Sequence, residues 1–370
     1  MSGPAPVREA TSPPERRRRR RDAVRMLVWR PGAVAHRRFR DLPAELAPGD
    51  LLVVNTSATM PAALVAVPAD GPARPLHVSA VIGDGDWVVE VRRPDGAGPD
   101  TSRRPGERLR LPGGAEVRLL APHVAAAAGE VRLWRASVCP PVSAAEYLAR
   151  HGRPIGYRYL NGPTRLRDHQ TVFAAHPGSA EMPSAGRPFS GRLLARLVSA
   201  GVTVAPVLLH AGVSSPEAHE PPAAERFAVP ADTARLIESA RRAGRRVVAV
   251  GTTATRAVES AVSGGRVREA RGWTDLVLGP GRPARVVDGL VTGLHEPEAS
   301  HRALIEAVAG SAAVEEAYAA VTGAYLWHEF GDTMLLLPAG VSRRPSPRWP
   351  SRPRSPGRRP AARGPRRPPR

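Results

Sequence analysis

The feature that most constrains this chain is a series of apolar runs that each stop on a small or polar residue. LLVVN (51–55), VTVAPVLLH (202–210), RRVVAV (245–250) ahead of Gly251, and TMLLLPA (333–339) are of this kind. A strand apolar at nearly every position has no face left for water, so it must lie in a sheet covered on both sides. The segments between these runs supply the cover. Phe189, Leu193, Leu194 and Leu197 recur with the helical period behind a Ser190 cap, and Gly201 stops them. The run DTARLIESARRAG (232–244) places Leu236, Ile237 and Ala240 on one face, and GTTATRAVESA (251–261) opens another helix. Further helices are expected over 300–310 and 314–323, and further strands at VRMLVW (24–29) and WTDLVLG (273–279). Alternating strands and helices predict a parallel α/β architecture, either a barrel or an open sheet; periodicity leaves both open.

The pattern breaks over 65–137. There LHVSAVI (76–82), DWVVEVR (86–92), ERLRL (107–111), AEVRLLA (115–121) and GEVRLWR (129–135) follow one another across Gly, Pro and Asp turns. Short alternating strands at this spacing predict a small all-β unit, a barrel or sandwich, inserted into the α/β body. The body is therefore read as 23–64 joined with 138–340. It resumes at a short helix begun by Ser143, with Glu146 completing a capping box.

Charge marks off the two ends. Every one of the 54 basic residues is Arg, and the formal charge is +20. Residues 341–370 hold 11 Arg, 9 Pro and no acid, too little apolar surface to offset the entropy of ordering. They are expected to be a disordered tail, and such a tail attracts a polyanion through a salt-dependent term blind to sequence. Residues 1–22, with the run Arg16–Arg21, are likewise read as a basic disordered N-terminus. A single Cys rules out a disulfide framework and multi-cysteine zinc or iron–sulfur sites. No stretch reaches the roughly 18 uncharged apolar residues of a membrane span, and no apolar run follows the first charges as a secretory signal requires. A cytoplasmic protein without a membrane partner is expected.

Chemistry is concentrated at strand ends. Asn55 and Thr56 follow one core strand, where α/β folds often place ligand-binding groups. In VVAVGTTATRAVES (247–260), Gly251, Thr252 and Thr253 meet a helix start, whose amides and dipole suit a carboxylate, a ribose hydroxyl or a phosphate. Arg256 lies within one turn and could add a charge-assisted bond. His210 ends a core strand and could serve in acid–base work. LHEP (294–297) brings His295 and Glu296 together, and WHEFGD (327–332) holds His328, Glu329 and Asp332. Neither cluster has the two-histidine spacing of a zinc helix, so no metal is expected.

Taken in order, these phrases resemble the S-adenosylmethionine:tRNA ribosyltransferase-isomerase family of queuosine biosynthesis. The resemblance runs through VRMLV (24–28), FRDLPAELAPGDLLVVNTSATMPA (39–62), DHQTVFA (168–174), GSAEMPSAGRPFS (178–190), VLLHAG (207–212), VVAVGTTATRAVES (247–260), LVTGLHEPEAS (290–300) and YLWHEFGDTMLLL (325–337). It implies a barrel-like parallel α/β domain carrying an inserted small all-β barrel domain. It implies S-adenosylmethionine as co-substrate, no prosthetic group and tRNA as partner. The chain is expected to act as a monomer, although the sequence itself carries no signal of oligomeric state. The implied reaction moves the ribosyl carbons of S-adenosylmethionine onto 7-aminomethyl-7-deazaguanine in tRNA. A carbanion forms next to the sulfonium, the ribose rearranges to an epoxycyclopentane, and adenine and methionine leave, giving epoxyqueuosine-tRNA.

Such chemistry needs a base near C5′, donors to the ribose, and an acid for the departing adenine. By the resemblance, His210, His295 and Glu225 are the acid–base candidates. Asn55 and Thr56 orient substrate, and Gly251, Thr252, Thr253, Arg256 and Glu296 bind it. The chain departs from the family's usual phrases in places. It reads Asn55-Thr56-Ser57-Ala58 for N-D-T-R, Gly186-Arg187-Pro188-Phe189 for GLHF, and Gly293-Leu294 for the asparagine and phenylalanine of TNFH. Around Glu225 it reads HEPPAAERFAVP (219–230) in place of the family's histidine–methionine–histidine stretch. These changes fall on polar groups expected near nucleoside or tRNA. They leave room for a same-fold enzyme with another acceptor, or for a non-catalytic RNA-binding relative.

Overall fold

The fold is described from a computed structural model of the chain, for residues 8–123, 130–214, 223–295 and 300–338. Its centre is a nine-stranded sheet. From edge to edge the strands are Ala270–Thr274, Glu225–Val229, Thr203–Leu209, Leu51–Asn55, Val247–Val250, Gly289–Gly293, Thr333–Leu336, Arg25–Arg30 and Ala33–Arg38. Every residue of Leu51–Asn55, Val247–Val250, Gly289–Gly293 and Thr333–Leu336 is buried, as uniform apolarity requires. Strand alternation then sorts the side chains between two cores. Leu51, Val53, Val247 and Ala249 face the layer of helices Ala231–Arg242, Gly251–Ser260, Ser300–Ala309 and Ser311–Ala319. Leu52, Val54, Val248 and Val250 face the opposite layer, with Leu42, Phe189, Leu193 and Leu197.

The middle of the sheet is parallel, from Thr203–Leu209 through Leu51–Asn55 and Val247–Val250 to Gly289–Gly293. Outside it the pairing is mixed. Arg25–Arg30 turns back on itself at Gly32 to pair antiparallel with Ala33–Arg38, and Glu225–Val229 pairs antiparallel on both sides. The short antiparallel returns make this a mixed sheet, and its two edge strands are not partners of each other. The strand expected at 273–279 lies earlier, at Ala270–Thr274, where it has Glu225–Val229 to pair with.

The insert is a closed six-stranded barrel built from Ala63–Pro68, Arg74–Gly83, Asp86–Val91, Arg108–Arg110, Glu116–Pro122 and Leu133–Cys139. Closure leaves no sheet edge unpaired. Trp87, Trp134, Leu76, Val89, Val117 and Leu119 fill it, and Tyr147 and Leu148 of the helix Ala144–His151 pack against that core. Ser143 precedes this helix as expected, but its side chain makes no capping bond, whereas Ser190 accepts from the Leu193 amide at 3.2 Å. The barrel is joined to the body by a two-way bond between Ala63 and Arg153, at 2.8 and 2.9 Å.

The N-terminus corrects the expectation of disorder from its first described residue. Ala10 and Pro14 are buried, Asp22 is 4% exposed, and Glu9 bridges to Trp327. Trp327 donates to the Arg8 carbonyl at 2.9 Å and accepts from the Ala10 amide at 3.2 Å. Glu15 meets the buried Arg187 at 2.8 Å, and Asp22 accepts from Ser190 at 2.8 Å. The arginine run hid these few anchors, which hold residues 8–22 against the body. The tail assigned to 341–370 lies outside the described residues.

Candidate active site

The parallel strands end together, and the barrel rim stands over their C-terminal ends. Between them is a cleft of about 1120 Å³. Open α/β sheets bind ligands at this end of their strands, where strand-to-helix turns expose backbone and side chains. The body contributes Gly251, Thr252, Thr253, Thr292 and His295 to the walls, and the barrel contributes His77 and Arg92.

The helix Gly251–Ser260 begins at the cleft. Gly251 has φ +88°, in the left-handed region, and a Cβ there would meet Ala185 Cβ at 3.2 Å. Its tight turn brings the first helical residues to the wall. First-turn amides have no acceptor within the helix, and here no side chain caps them. Asn55 sits behind this turn. Its amide donates to the Leu209 carbonyl at 2.8 Å and to Thr253 Oγ1 at 3.1 Å, and its oxygen accepts from the Ser57 and Leu209 amides, each at 3.0 Å. Asn55 is thus a buried clip that holds Thr253, and no part of its amide is left for a ligand. The Thr56 hydroxyl turns inward to the Val207 carbonyl at 3.0 Å.

His295 lines the cleft, stacked on His301 with centroids 4.7 Å apart and rings 9° from parallel. Burial holds the His295 imidazole well below its ordinary range, and His301 and His328 push the same way. Both imidazoles of the stacked pair are therefore neutral groups, one N–H and one lone pair each.

Opposite lie residues to which the sequence reading assigned no role. Tyr157 and Tyr159 stack at 5.6 Å and 14°, and Tyr159 stacks on His328 at 4.5 Å and 19°. The Tyr159 hydroxyl donates to Glu329 Oε2, and burial pushes the Glu329 carboxyl up to about 7. Glu181, also in the cleft, accepts from the Ser214 amide at 3.2 Å and hydroxyl at 2.9 Å; burial raises it, and Ser214 works against the rise. Glu329 was visible in WHEFGD as one of a cluster, and Glu181 in GSAEMPSAGRPFS. Nothing in RPIGYRYLNG pointed to its tyrosines.

Three of the expected site residues lie elsewhere. His210 and Gly212 share one side of the chain, and Ala211 and Val213 share the other, which faces the cleft. His210 therefore points into a separate small pocket of about 40 Å³, bonded to Ser57 Oγ at 2.8 Å. Its pKa is lowered to about 4, first by burial and then by Arg226 and His176. Glu225 lines that same pocket, pairs with Arg256 and accepts from the Gly212 amide at 2.9 Å; burial raises its pKa against the pull of Arg256. Arg256 also donates to the Leu276 and Thr274 carbonyls, at 3.0 and 3.2 Å. Its guanidinium ties the helix to the neighbouring chain and does not line the cleft. Glu296 lies outside the described residues. Among the described residues no three histidine, cysteine or acidic side chains are grouped to hold a metal ion.

Residues 6–336 match the family described as queuosine biosynthesis protein. The chain is 34% identical over 327 residues to the S-adenosylmethionine:tRNA ribosyltransferase-isomerase of Azoarcus sp. (strain BH72), covering 85% of this chain and 91% of that protein. It is 34% identical over 334 residues to the enzyme of the same name from Moorella thermoacetica, covering 86% and 94%. Against the one from Carboxydothermus hydrogenoformans it is 33% identical over 336 residues, with the same coverage of 86% and 94%. The solved structure of the S-adenosylmethionine tRNA ribosyltransferase from Thermotoga maritima is 29% identical, with 86% of this chain and 93% of that one covered and a TM-score of 0.46.

Proposed function

The chain belongs to the queuosine biosynthesis protein family, and from that premise we propose that it is an S-adenosylmethionine:tRNA ribosyltransferase-isomerase. It transfers the ribosyl group of S-adenosylmethionine to 7-aminomethyl-7-deazaguanine in tRNA and isomerises it, releasing adenine and methionine. The observation that carries this reading is the family match over residues 6–336, which takes in both the α/β body and the inserted barrel. S-adenosylmethionine is a co-substrate here, one chain is the working unit, and no prosthetic group takes part. The cytoplasm, where tRNA is found, is the proposed compartment.

In this reading the first turn of Gly251–Ser260 receives the donor's carboxylate or its ribose hydroxyls. Its amides and the Thr252 and Thr253 hydroxyls offer donors of the right kind, and Asn55 keeps Thr253 in place. Of the three acid–base candidates expected from the sequence, His295 is the one that lines the cleft. Held neutral, its lone pair is available to accept the C5′ proton next to the sulfonium. His210, Glu225 and Arg256 act behind the wall as packing and hydrogen-bond anchors.

Incubation of the purified chain with S-adenosylmethionine and tRNA bearing the aminomethyl base, with adenine measured by chromatography, tests the reading. Adenine should accumulate only when both the tRNA and its modified base are present. His295→Ala should slow its release by about 10²-fold or more. Donor binding by calorimetry without adenine release would move the protein to another acceptor and overturn the assignment.

A further inference from the structure

The reaction proposed above ends with a leaving base, and the cleft holds a group suited to its departure. When the bond between the ribose C1′ and the adenine nitrogen breaks, the electron pair goes to the base, which needs a proton to leave as neutral adenine. A residue that supplies it must keep that proton at neutral pH and face the cleft. His295 and His301 do not qualify, because burial holds both imidazoles neutral. Glu181 is less suited: burial raises its carboxyl too, but the Ser214 amide and hydroxyl both donate to it, stabilise its anion and offset part of that rise.

Glu329 meets the requirement on geometry. It lines the cleft, and among the described residues it takes part in no ion pair. Among the described residues its one side-chain hydrogen-bond partner is the Tyr159 hydroxyl. His328, the residue before it, has φ +72°, a left-handed conformation uncommon for a residue with a side chain. Neighbouring residues of an extended chain point to opposite sides. Here both reach the same tyrosine, His328 through its ring face and Glu329 through the hydroxyl. The result is a carboxyl beside a flat aromatic wall, which suits a purine.

Resting on the reading above, we propose that Glu329 is the acid that protonates the departing adenine, with Tyr159 holding the carboxyl in place. The carboxyl O–H bond breaks, its proton bonds to a ring nitrogen of adenine as the C1′–N bond breaks, and Glu329 is left as a carboxylate. The Tyr159 hydroxyl still donates to that carboxylate, and a proton from water resets it.

The surroundings favour the protonated form at rest. Tyr157 and Tyr159 face Glu329 from one segment, and His328 and Asp332 lie on its own loop. Asp332 is bonded to the Arg25 and Leu326 amides. From the N-terminal segment, Glu9 lies 3.7 Å from His328, Arg17 donates to the Phe330 carbonyl, and Arg21 is paired with Glu15. Arg187 lies over Phe330 and is likewise paired with Glu15. With these cations bonded elsewhere, burial decides the protonation of Glu329.

Glu329→Gln in the full-length chain tests the assignment, because the amide oxygen can still accept from Tyr159 while the transferable proton is gone. Release of the free base, adenine or 8-azaadenine, is measured in single turnover with modified tRNA and two donors: S-adenosylmethionine, and its analogue carrying 8-azaadenine, a base that leaves more readily without protonation. The variant should be slowed by about 10²-fold or more on the natural donor and by less than tenfold on the analogue, with donor affinity unchanged by calorimetry. The wild-type rate should fall tenfold per pH unit above about pH 7, and the residual rate of the variant should lack that fall. Wild-type speed in Glu329→Gln, or an equal loss on both donors, overturns the proposal while the family reaction stands. A wild-type chain that releases no adenine overturns both.

Discussion

Asn55 has four hydrogen bonds and is 3% exposed, so its contribution is best judged by what its loss would leave behind. Asn55→Ala strips partners from the Leu209 amide and carbonyl and from the Ser57 amide, all next to the core. A buried polar group left unpaired costs about 1–3 kcal/mol. With water reaching part of the gap, a total loss of about 2–4 kcal/mol is expected, read as a lower urea midpoint at unchanged slope. Thr253 also loses its anchor, so donor affinity should fall along with stability. A stability loss below about 0.5 kcal/mol would show that the clip is not structural. At this scale the sequence was legible in position and not in role. It placed Asn55 at the end of a core strand beside the site, but an amide facing a ligand and an amide spanning two strands and a helix have the same neighbours in sequence. His210 shows the same limit from the other side. One residue of strand alternation decides between cleft and small pocket, and irregular chain past Leu209 hides that register. Glu329 was legible as a residue in a charged cluster, while its pairing with Tyr159 spans 170 positions and no local pattern carries it.

The element that most directly shapes the site is the strand–turn–helix unit Val247–Ser260. It was the most legible part of the chain, because a buried strand, a glycine and two threonines before a helical period fix both the fold and the direction of the free amides. The requirement for glycine has a measurable cost. Gly251→Ala would force a residue with a Cβ to hold φ +88°, about 1–2 kcal/mol unfavourable, and would press that Cβ on Ala185. The expected outcome is a melting temperature lower by a few degrees and donor affinity weakened by about tenfold, since the turn and its amides move together. Circular dichroism melts and calorimetry with S-adenosylmethionine check it. Unchanged affinity in a destabilised variant would place the donor away from this turn. The all-β insert was legible from alternation alone, and its closure into a barrel was not. Each short strand reads the same in a sandwich or a barrel, and only the pairing of Ala63–Pro68 with Arg108–Arg110 completes the ring.

At the scale of the molecule, the cleft depends on three pieces that are distant in sequence: the strand ends, the barrel rim and the loop 325–332. The N-terminal segment fixes the third. Residues 8–10 pair with Trp327 in both directions, Arg17 donates to the Phe330 carbonyl at 3.1 Å, and Glu15 meets Arg187 beneath the same loop. Composition gave no warning of this, because six consecutive arginines outweigh a few buried anchors in any window average. The consequence is testable by deleting residues 1–22. The deletion exposes the surface under Ala10 and Pro14 and removes Asp22 from Ser190. It also leaves Arg187, 2% exposed, without its carboxylate partner. Glu15 is itself half exposed, so the ion pair alone adds little, about 1 kcal/mol. With the lost burial and the unpaired guanidinium, a total of about 3–5 kcal/mol is expected. The functional effect should be uneven. The turn at Gly251 is braced by Asn55 and Ala185 and does not touch the segment, so donor binding should persist wherever the shortened chain is still folded. The loop carrying His328 and Glu329 loses its bracing, so adenine release per bound donor should drop by about tenfold or more. Calorimetry and the adenine assay on the same preparation separate the two. A deleted chain that binds and turns over like the full one would mean that the loop holds its shape through Asp332 and its two backbone bonds alone.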